Sequence, residues 1–118
     1  MIKHSGMLEK FKVQFLPEAV DFMERLDKKS QEKIYYNIRK AQVTNDPELL
    51  KKLTGNLWEF RTLYNKTYYR IFAFWDKIDG KQALILATHG LVKKTGKTPL
   101  SELDKGERIR QEYFAQKK

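Results

Sequence analysis

From Phe11 the chain alternates, with Phe11, Val13 and Phe15 apolar and Lys12 and Gln14 polar. This is the period-two pattern of a half-buried strand, here ending at Leu16. Pro17 stops the strand and suits the first turn of a helix, where its missing N–H loses no partner. Val20, Met23 and Leu26 follow at helical spacing. Ser30 is placed to cap a second helix whose apolar stripe is Ile34, Ile38 and Ala41. Asn45-Asp46-Pro47 predicts a short third helix that turns Leu49, Leu50 and Leu53 inward. Gly55-Asn56 breaks that pattern. Three strands rich in aromatic and aliphatic residues are then expected: Leu57–Leu63, Tyr68–Asp76 and Ala83–Gly90. Asp79-Gly80 signals a type I′ hairpin. Thr98-Pro99 caps and opens a last helix running towards Phe114. Gly106 inside it is unfavourable by ~1 kcal/mol relative to Ala, which marks close packing or a kink. The order β-α-α-(α)-β-β-β-α predicts an α+β domain with helices on one face of an antiparallel sheet.

Register follows from the turns. A two-residue Asp79-Gly80 turn pairs Ile78 with Lys81, and outward from it Asp76 with Ala83, Phe74 with Ile85, Phe72 with Ala87, and Arg70 with His89. A symmetric, even-length loop at Tyr64-Asn65-Lys66-Thr67 sets Arg61 opposite Arg70 and Glu59 opposite Phe72. Arg61, Arg70 and His89 then form one row across three strands. An odd-length loop slips Arg61 by one and breaks the row. The other face reads Trp58, Phe60, Tyr69, Ile71, Ala73, Trp75, Leu84 and Leu86, almost wholly apolar, and is the one the helices should cover. The face with the arginines is expected to be open. Tyr35, Tyr36, Trp58 and Trp75 are expected in the core.

A length of 118 residues suits one domain, with residues 1–10 expected as a flexible extension. The longest apolar runs, Ile71–Trp75 and Ala83–Ala87, are far short of the ~20 residues a spanning helix needs. No signal peptide is visible in Met1–Lys12. The absence of cysteine removes disulfides and zinc–thiolate sites and is compatible with a reducing cytoplasm. Charge changes the picture more. The net charge is +9, of which residues 1–50 hold only +1 and residues 51–118 hold +8. His89 to Thr98 contains Lys93, Lys94 and Lys97 and no acid. Such a field suits a polyanion, nucleic acid first, although a solvated lysine-rich surface gives the same count.

Two arginines directly opposite each other repel, by some tenths of a kcal/mol to ~1 kcal/mol. A bound anion between them reverses that sign, and a salt bridge to Glu59 also relieves it. Cations around His89 disfavour its imidazolium form, leaving a ring able to accept a proton in acid–base work. The same cations repel a metal ion, and the only other histidine is His4, near the N-terminus. No Cys–His or Ser–His–acid arrangement and no Walker or Rossmann glycine loop is present.

Leu57-Trp58-Glu59-Phe60-Arg61, Tyr69-Arg70-Ile71-Phe72, the run His89-Gly90-Leu91-Val92-Lys93-Lys94-Thr95-Gly96-Lys97-Thr98-Pro99, and a helix with Glu102 and Arg108 together resemble the RelE/ParE superfamily of type II toxins. The resemblance is to its HigB-like, phage-derived Gp49-like branch, over about Phe11 to Phe114. It implies a RelE-like α+β fold and no cofactor. It also implies a ribosome-dependent ribonuclease that cuts messenger RNA in the A site. The partner would be a helix-turn-helix, HigA-like antitoxin, through which operator DNA is bound. Arg61 falls where such enzymes place basic catalytic residues, and Glu59 at a position often Lys in RelE. Arg70 falls at a phosphate-contacting arginine. His89 and Lys94 fall among further active-site residues. Lys93, Lys97 and Lys66 are RNA-binding candidates, as is Tyr113, matched to the family's C-terminal base-stacking tyrosine. Metal-free cleavage would use the RNA's own 2′-OH. Arg61 and Arg70 would clamp the phosphate, His89 or Glu59 would act as base, and His89 or Lys94 as acid. Two other classes fit the same pattern: a ParE-like toxin that inhibits DNA gyrase without cutting RNA, and a basic nucleic-acid-binding module without catalysis.

Overall fold

The computed structural model describes residues 9–44, 46–86, 91–93 and 100–117. In chain order the elements are β1 (Lys12–Phe15), α1 (Pro17–Glu24), α2 (Lys28–Thr44), β2 (Leu50–Thr54), β3 (Leu57–Tyr64), β4 (Thr67–Ile78), β5 (Lys81–Leu86), β6 (Leu91–Lys93) and α3 (Leu100–Gln116). The sheet order is β1-β5-β4-β3-β2, and β6 pairs with β4. Neighbours from β2 to β5 are antiparallel, while β1 joins β5 in parallel and makes the sheet mixed.

Both central hairpins turn on two left-handed residues. Asp79 and Gly80 have φ of 53° and 77°, and Asn65 and Lys66 have 53° and 61°. Positive φ at both central positions is the type I′ signature, which matches strand twist. Tyr64 therefore pairs with Thr67, and Arg61 falls opposite Arg70 as the even loop requires.

The helix α2 is capped by Asp27, not by Ser30. Ser30 donates from its N–H to Asp27 Oδ2 (3.2 Å) and from Oγ to Oδ1 (2.6 Å), and these bonds hold the Asp27 carboxyl below its usual range. Ser30 lies three positions inside the helix, so it is the donor that closes the cap.

The expected third helix is a single turn followed by β2. The amides of Leu49 and Leu50 donate to Asp46 O (3.0 and 3.2 Å), and that of Glu48 to Asp46 Oδ1 (2.9 Å). Leu50 then pairs with Phe60 and Lys51 with Glu59. The edge of β3 offers backbone partners that outweigh the local helical preference, a tertiary override.

Helices α1 and α2 cover one face of the sheet. Ala19, Phe22, Met23, Ile34, Ile38 and Ala41 pack with Phe60, Ile71, Ala73 and Leu84. Trp75 packs against this core, whereas Tyr35 and Tyr36 are exposed, contrary to expectation. Tyr35 and Tyr36 lie on the outer side of α2, away from the Ile34–Ile38–Ala41 stripe.

The opposite face is not open throughout. Leu57, Phe72 and Phe74 are apolar there too, and α3 packs over them. A Cβ on Gly106 would stand 3.4 Å from Leu57 Cδ1 and Phe72 Cδ2, so this glycine marks close packing rather than a kink. Phe74 packs edge-on against Tyr113 and beside Phe114, with ring centroids 5.2 and 5.7 Å apart.

A polar latch fastens the end of α3. The Tyr113 hydroxyl donates to Asp76 Oδ2 (2.7 Å), and Lys117 Nζ reaches the same oxygen. Burial alone raises the Asp76 pKa, but the bonds from Lys117 and Tyr113 outweigh it and hold the carboxyl below its usual range. Burial first, then the Asp76 hydrogen bond, push Tyr113 up from 10.0 to about 12. The depressed Asp76 stabilises the fold above the ordinary carboxylate range and loses that effect as pH falls through its lowered value. Tyr113 contributes fully below pH 10.0, and its contribution disappears as pH rises through about 12. Tyr113→Phe should lower stability in urea unfolding at neutral pH by about 1.5–3 kcal/mol, the worth of a hydrogen bond to a charged partner. It should also flatten the alkaline limb of the stability profile. An unchanged urea midpoint and alkaline limb would show that the latch contributes nothing.

Candidate active site

The site is built on β3 and β4, on the same face of the sheet as Leu57 and Phe72. Alternation along β3 puts Glu59 and Arg61 on the same face, and the hairpin register puts Arg70 directly across from Arg61. The carboxylate of Glu59 is shared between the two guanidinium groups. Arg61 Nε lies 3.5 Å from Glu59 Oε1, and Arg70 Nη1 lies 3.7 Å from Glu59 Oε2. Glu59 is 2% exposed and Arg70 8%, whereas the Arg61 side chain keeps 27% of its surface in solvent. One carboxylate thus holds two cations side by side, and the more accessible cation is Arg61. Its Nε is buried without a hydrogen-bond partner among the described residues. The repulsion expected between opposed arginines is relieved internally, through Glu59.

Tyr68 completes the constellation. It lies two residues before Arg70 on the same face, and its ring centroid is 5.9 Å from Arg61 Cζ and 5.5 Å from Arg70 Cζ. The attraction of a guanidinium to an aromatic face restrains both side chains. The sequence reading did not single out Tyr68. The signal was the period-two alternation from Arg70, which puts Tyr68 on the arginine face across from Leu63. Lys51 was also missed, because the short-helix expectation hid its place opposite Glu59 on β2.

The third member of the expected row is not His89. Arg70 pairs with Leu91, and Tyr68 with Lys93, whereas Ala73 pairs with Leu86. The register on β4 therefore slips by two residues between β5 and β6. Extra residues between the two strands shift everything that follows, which turn arithmetic from Asp79-Gly80 does not foresee. Ala87, His89, Lys94, Lys97, Thr98 and Pro99 lie outside the described residues. The backbone of Lys93 stands beside Tyr68, adjacent to the arginine row.

Lys66 is exposed in the β3–β4 turn, at the same end of the hairpin as Tyr68. Tyr113 is elsewhere. Its partner Asp76 lies on β4 beyond Arg70, about 20 Å along the strand at ~3.3 Å per residue. The structure thus brings together Glu59, Arg61, Arg70 and the Lys93 backbone and leaves Tyr113 at the far end, in the α3 latch. Among the described residues no group of three or more His, Cys, Asp or Glu side chains could hold a metal ion. No helix among them is long and apolar enough to cross a membrane.

Two guanidinium groups fixed at one spacing suit a phosphate, which they can grip through paired N–H donors without losing their charge. Removing this carboxylate takes away the anion that the two neighbouring cations share. Glu59→Gln, which keeps the shape, should destabilise the fold by roughly 2–4 kcal/mol, near the ~3–5 kcal/mol of a broken buried pair and reduced by the exposure of Arg61. Added sulfate should recover part of the lost melting temperature by taking the carboxylate's place. A variant as stable as the parent, with no sulfate effect, would contradict this electrostatic account.

No curated protein matches the chain. The model of one protein family does, over residues 21–111, from within α1 to within α3. That span includes the whole of β2 to β6 and every residue of the arginine cluster. With this match over most of its length, the chain belongs to the phage-derived protein Gp49-like (DUF891) family, in the HigB-like branch of RelE toxins.

Proposed function

We propose that this toxin-family protein is a metal-independent endoribonuclease that cuts messenger RNA on the ribosome. The observation that carries the reading is the Arg61–Arg70 pair, opposed in register and held by one buried carboxylate. Glu59 relieves the repulsion between the two and fixes their spacing. A phosphodiester between them gives the arrangement a use.

The 2′-oxygen attacks the adjacent phosphorus, and the bond to the 5′-oxygen breaks. The products are a 2′,3′-cyclic phosphate and a 5′-hydroxyl. Arg61 and Arg70 stabilise the charge that builds on the phosphoryl oxygens, usually the largest catalytic contribution. Glu59, buried and ion-paired to both, acts as a positioning residue rather than as the base. His89 takes the proton from the 2′-hydroxyl, and Lys94 protonates the leaving oxygen. Lys93, Lys97 and Lys66 hold flanking phosphates. A helix-turn-helix antitoxin of the HigA type neutralises the protein and carries it to operator DNA, and the ribosome presents the messenger in the cytoplasm.

The test is induced expression in bacteria of the wild type beside Arg70→Ala and His89→Ala, with primer extension on an abundant messenger. New 5′ ends inside translated codons are expected for the wild type. Loss of one preorganised charge should cut cleavage by about 100-fold or more. Wild-type cleavage by Arg70→Ala would remove the clamp, and growth arrest with intact messenger would move the activity to a protein target.

A further inference from the structure

A groove of about 650 Å³ opens beside the arginine cluster, at the edge of the sheet. Its volume is that of a small-molecule site, ~300–1,000 Å³. It exists because β2 is shorter than β3. Pairing ends with Leu50 opposite Phe60 and with the Arg61 N–H donating to Leu49 O (2.7 Å). Beyond that point, among the described residues, Thr62–Tyr64 has no strand neighbour on that side. Helix α2 and the 46–49 turn wall the gap, and Asn37 Nδ2 donates to Thr62 Oγ1 (3.2 Å) to tie helix to strand.

The lining is of two kinds. Lys33 and Lys40 come from one face of α2, seven residues and so two turns apart, and Lys51 and Arg61 come from the sheet. Leu63 and Tyr68 supply apolar surface. They are cross-strand neighbours, and Leu63 is 53% exposed. Asp46 and Glu48 on the turn offset only part of the positive charge. An aromatic ring, an exposed leucine beside it and cations on three sides match a nucleotide, with the base on the apolar pair and the phosphate among the lysines.

We propose that this groove is a binding subsite for the single-stranded RNA nucleotide next to the phosphate gripped by Arg61 and Arg70. Arg61 belongs to both places and sets them in line. Tyr68 is a base platform whose ring is oriented by the two guanidinium groups. The assignment rests on the ribonuclease reading for its direction along the strand, but RNA binding in the groove is tested separately from cleavage.

The experiment uses the full chain and a fluorescein-labelled 2′-O-methyl RNA oligonucleotide, which binds but lacks the attacking hydroxyl. Fluorescence anisotropy is read across a salt series. The Lys33→Ala/Lys40→Ala double variant should weaken binding about 10-fold and reduce the log–log salt slope by about 0.7 for each phosphate it no longer neutralises. Tyr68→Leu should weaken binding by about 10-fold with an unchanged slope, as expected for the removal of a stacking platform. Lys77→Ala/Lys81→Ala, at the opposite end of the sheet, controls for general charge and should change little. Equal weakening in the control, or wild-type binding by both groove variants, would overturn the subsite. So would a wild type that does not bind the RNA. Retained RNA binding without growth inhibition in the groove variants would assign the groove to a protein partner and also overturn it. In parallel, unmethylated messenger is followed in a translating extract. Groove-dependent binding without cleavage by the wild type would leave the subsite standing and remove the nuclease reading, and cleavage with groove-independent binding would do the reverse.

Discussion

The structure turns on one shared carboxylate. Glu59, almost fully buried, sits between Arg61 and Arg70 and makes it possible for two guanidinium groups to occupy one rung of a sheet. Without it the rung is repulsive. With it the two guanidinium groups are held partly desolvated, where charges are less screened than at an open surface. The ion pairs are more valuable for fixing position than for adding stability, because taking these charges out of water offsets much of their attraction.

That carboxylate can serve both arginines only if the hairpin register holds. The register is set by Asn65 and Lys66, whose left-handed backbone closes a two-residue turn. A slip of one residue would move Arg61 to the face covered by α1 and α2. The second support is α3. It packs on Leu57 and Phe72 through Gly106 and is latched at its far end by Tyr113 and Lys117 on Asp76. The face of the sheet is thereby divided into a closed apolar half and a charged half, where Arg61, Tyr68 and the edge groove meet.

What could be read in the sequence follows the range of the forces involved. Hairpin turns are local, so Asp79-Gly80 and the Asn65-Lys66 loop were enough to set the registers and the opposed arginines correctly. The helix-covered face was legible because Phe60, Ile71, Ala73 and Leu84 alternate cleanly. The second apolar face was equally visible in Leu57, Phe72 and Phe74. Its closure was hidden because the arginines share that face and its cover, the apolar stripe of α3, lies far along the chain. Strand β2 was illegible because Asp46 starts a helical turn locally and the strand exists only through its pairing with β3. The parallel docking of β1 on β5 joins segments far apart in sequence, and no local pattern encodes it. The slip that puts Leu91 rather than His89 opposite Arg70 arises between β5 and β6, beyond the reach of turn geometry. Tyr113 was assigned to RNA by position near the C-terminus, whereas its hydroxyl is engaged in the latch.

If the arginine pair serves phosphoryl transfer from an RNA 2′-oxygen, the end groups of the cut messenger will show it. Purified protein added to a translating extract should yield fragments ending in a 2′,3′-cyclic phosphate, with a 5′-hydroxyl on the downstream piece. Fragments carrying a 3′-hydroxyl and a 5′-phosphate, or a messenger left whole while translation stops, would contradict it.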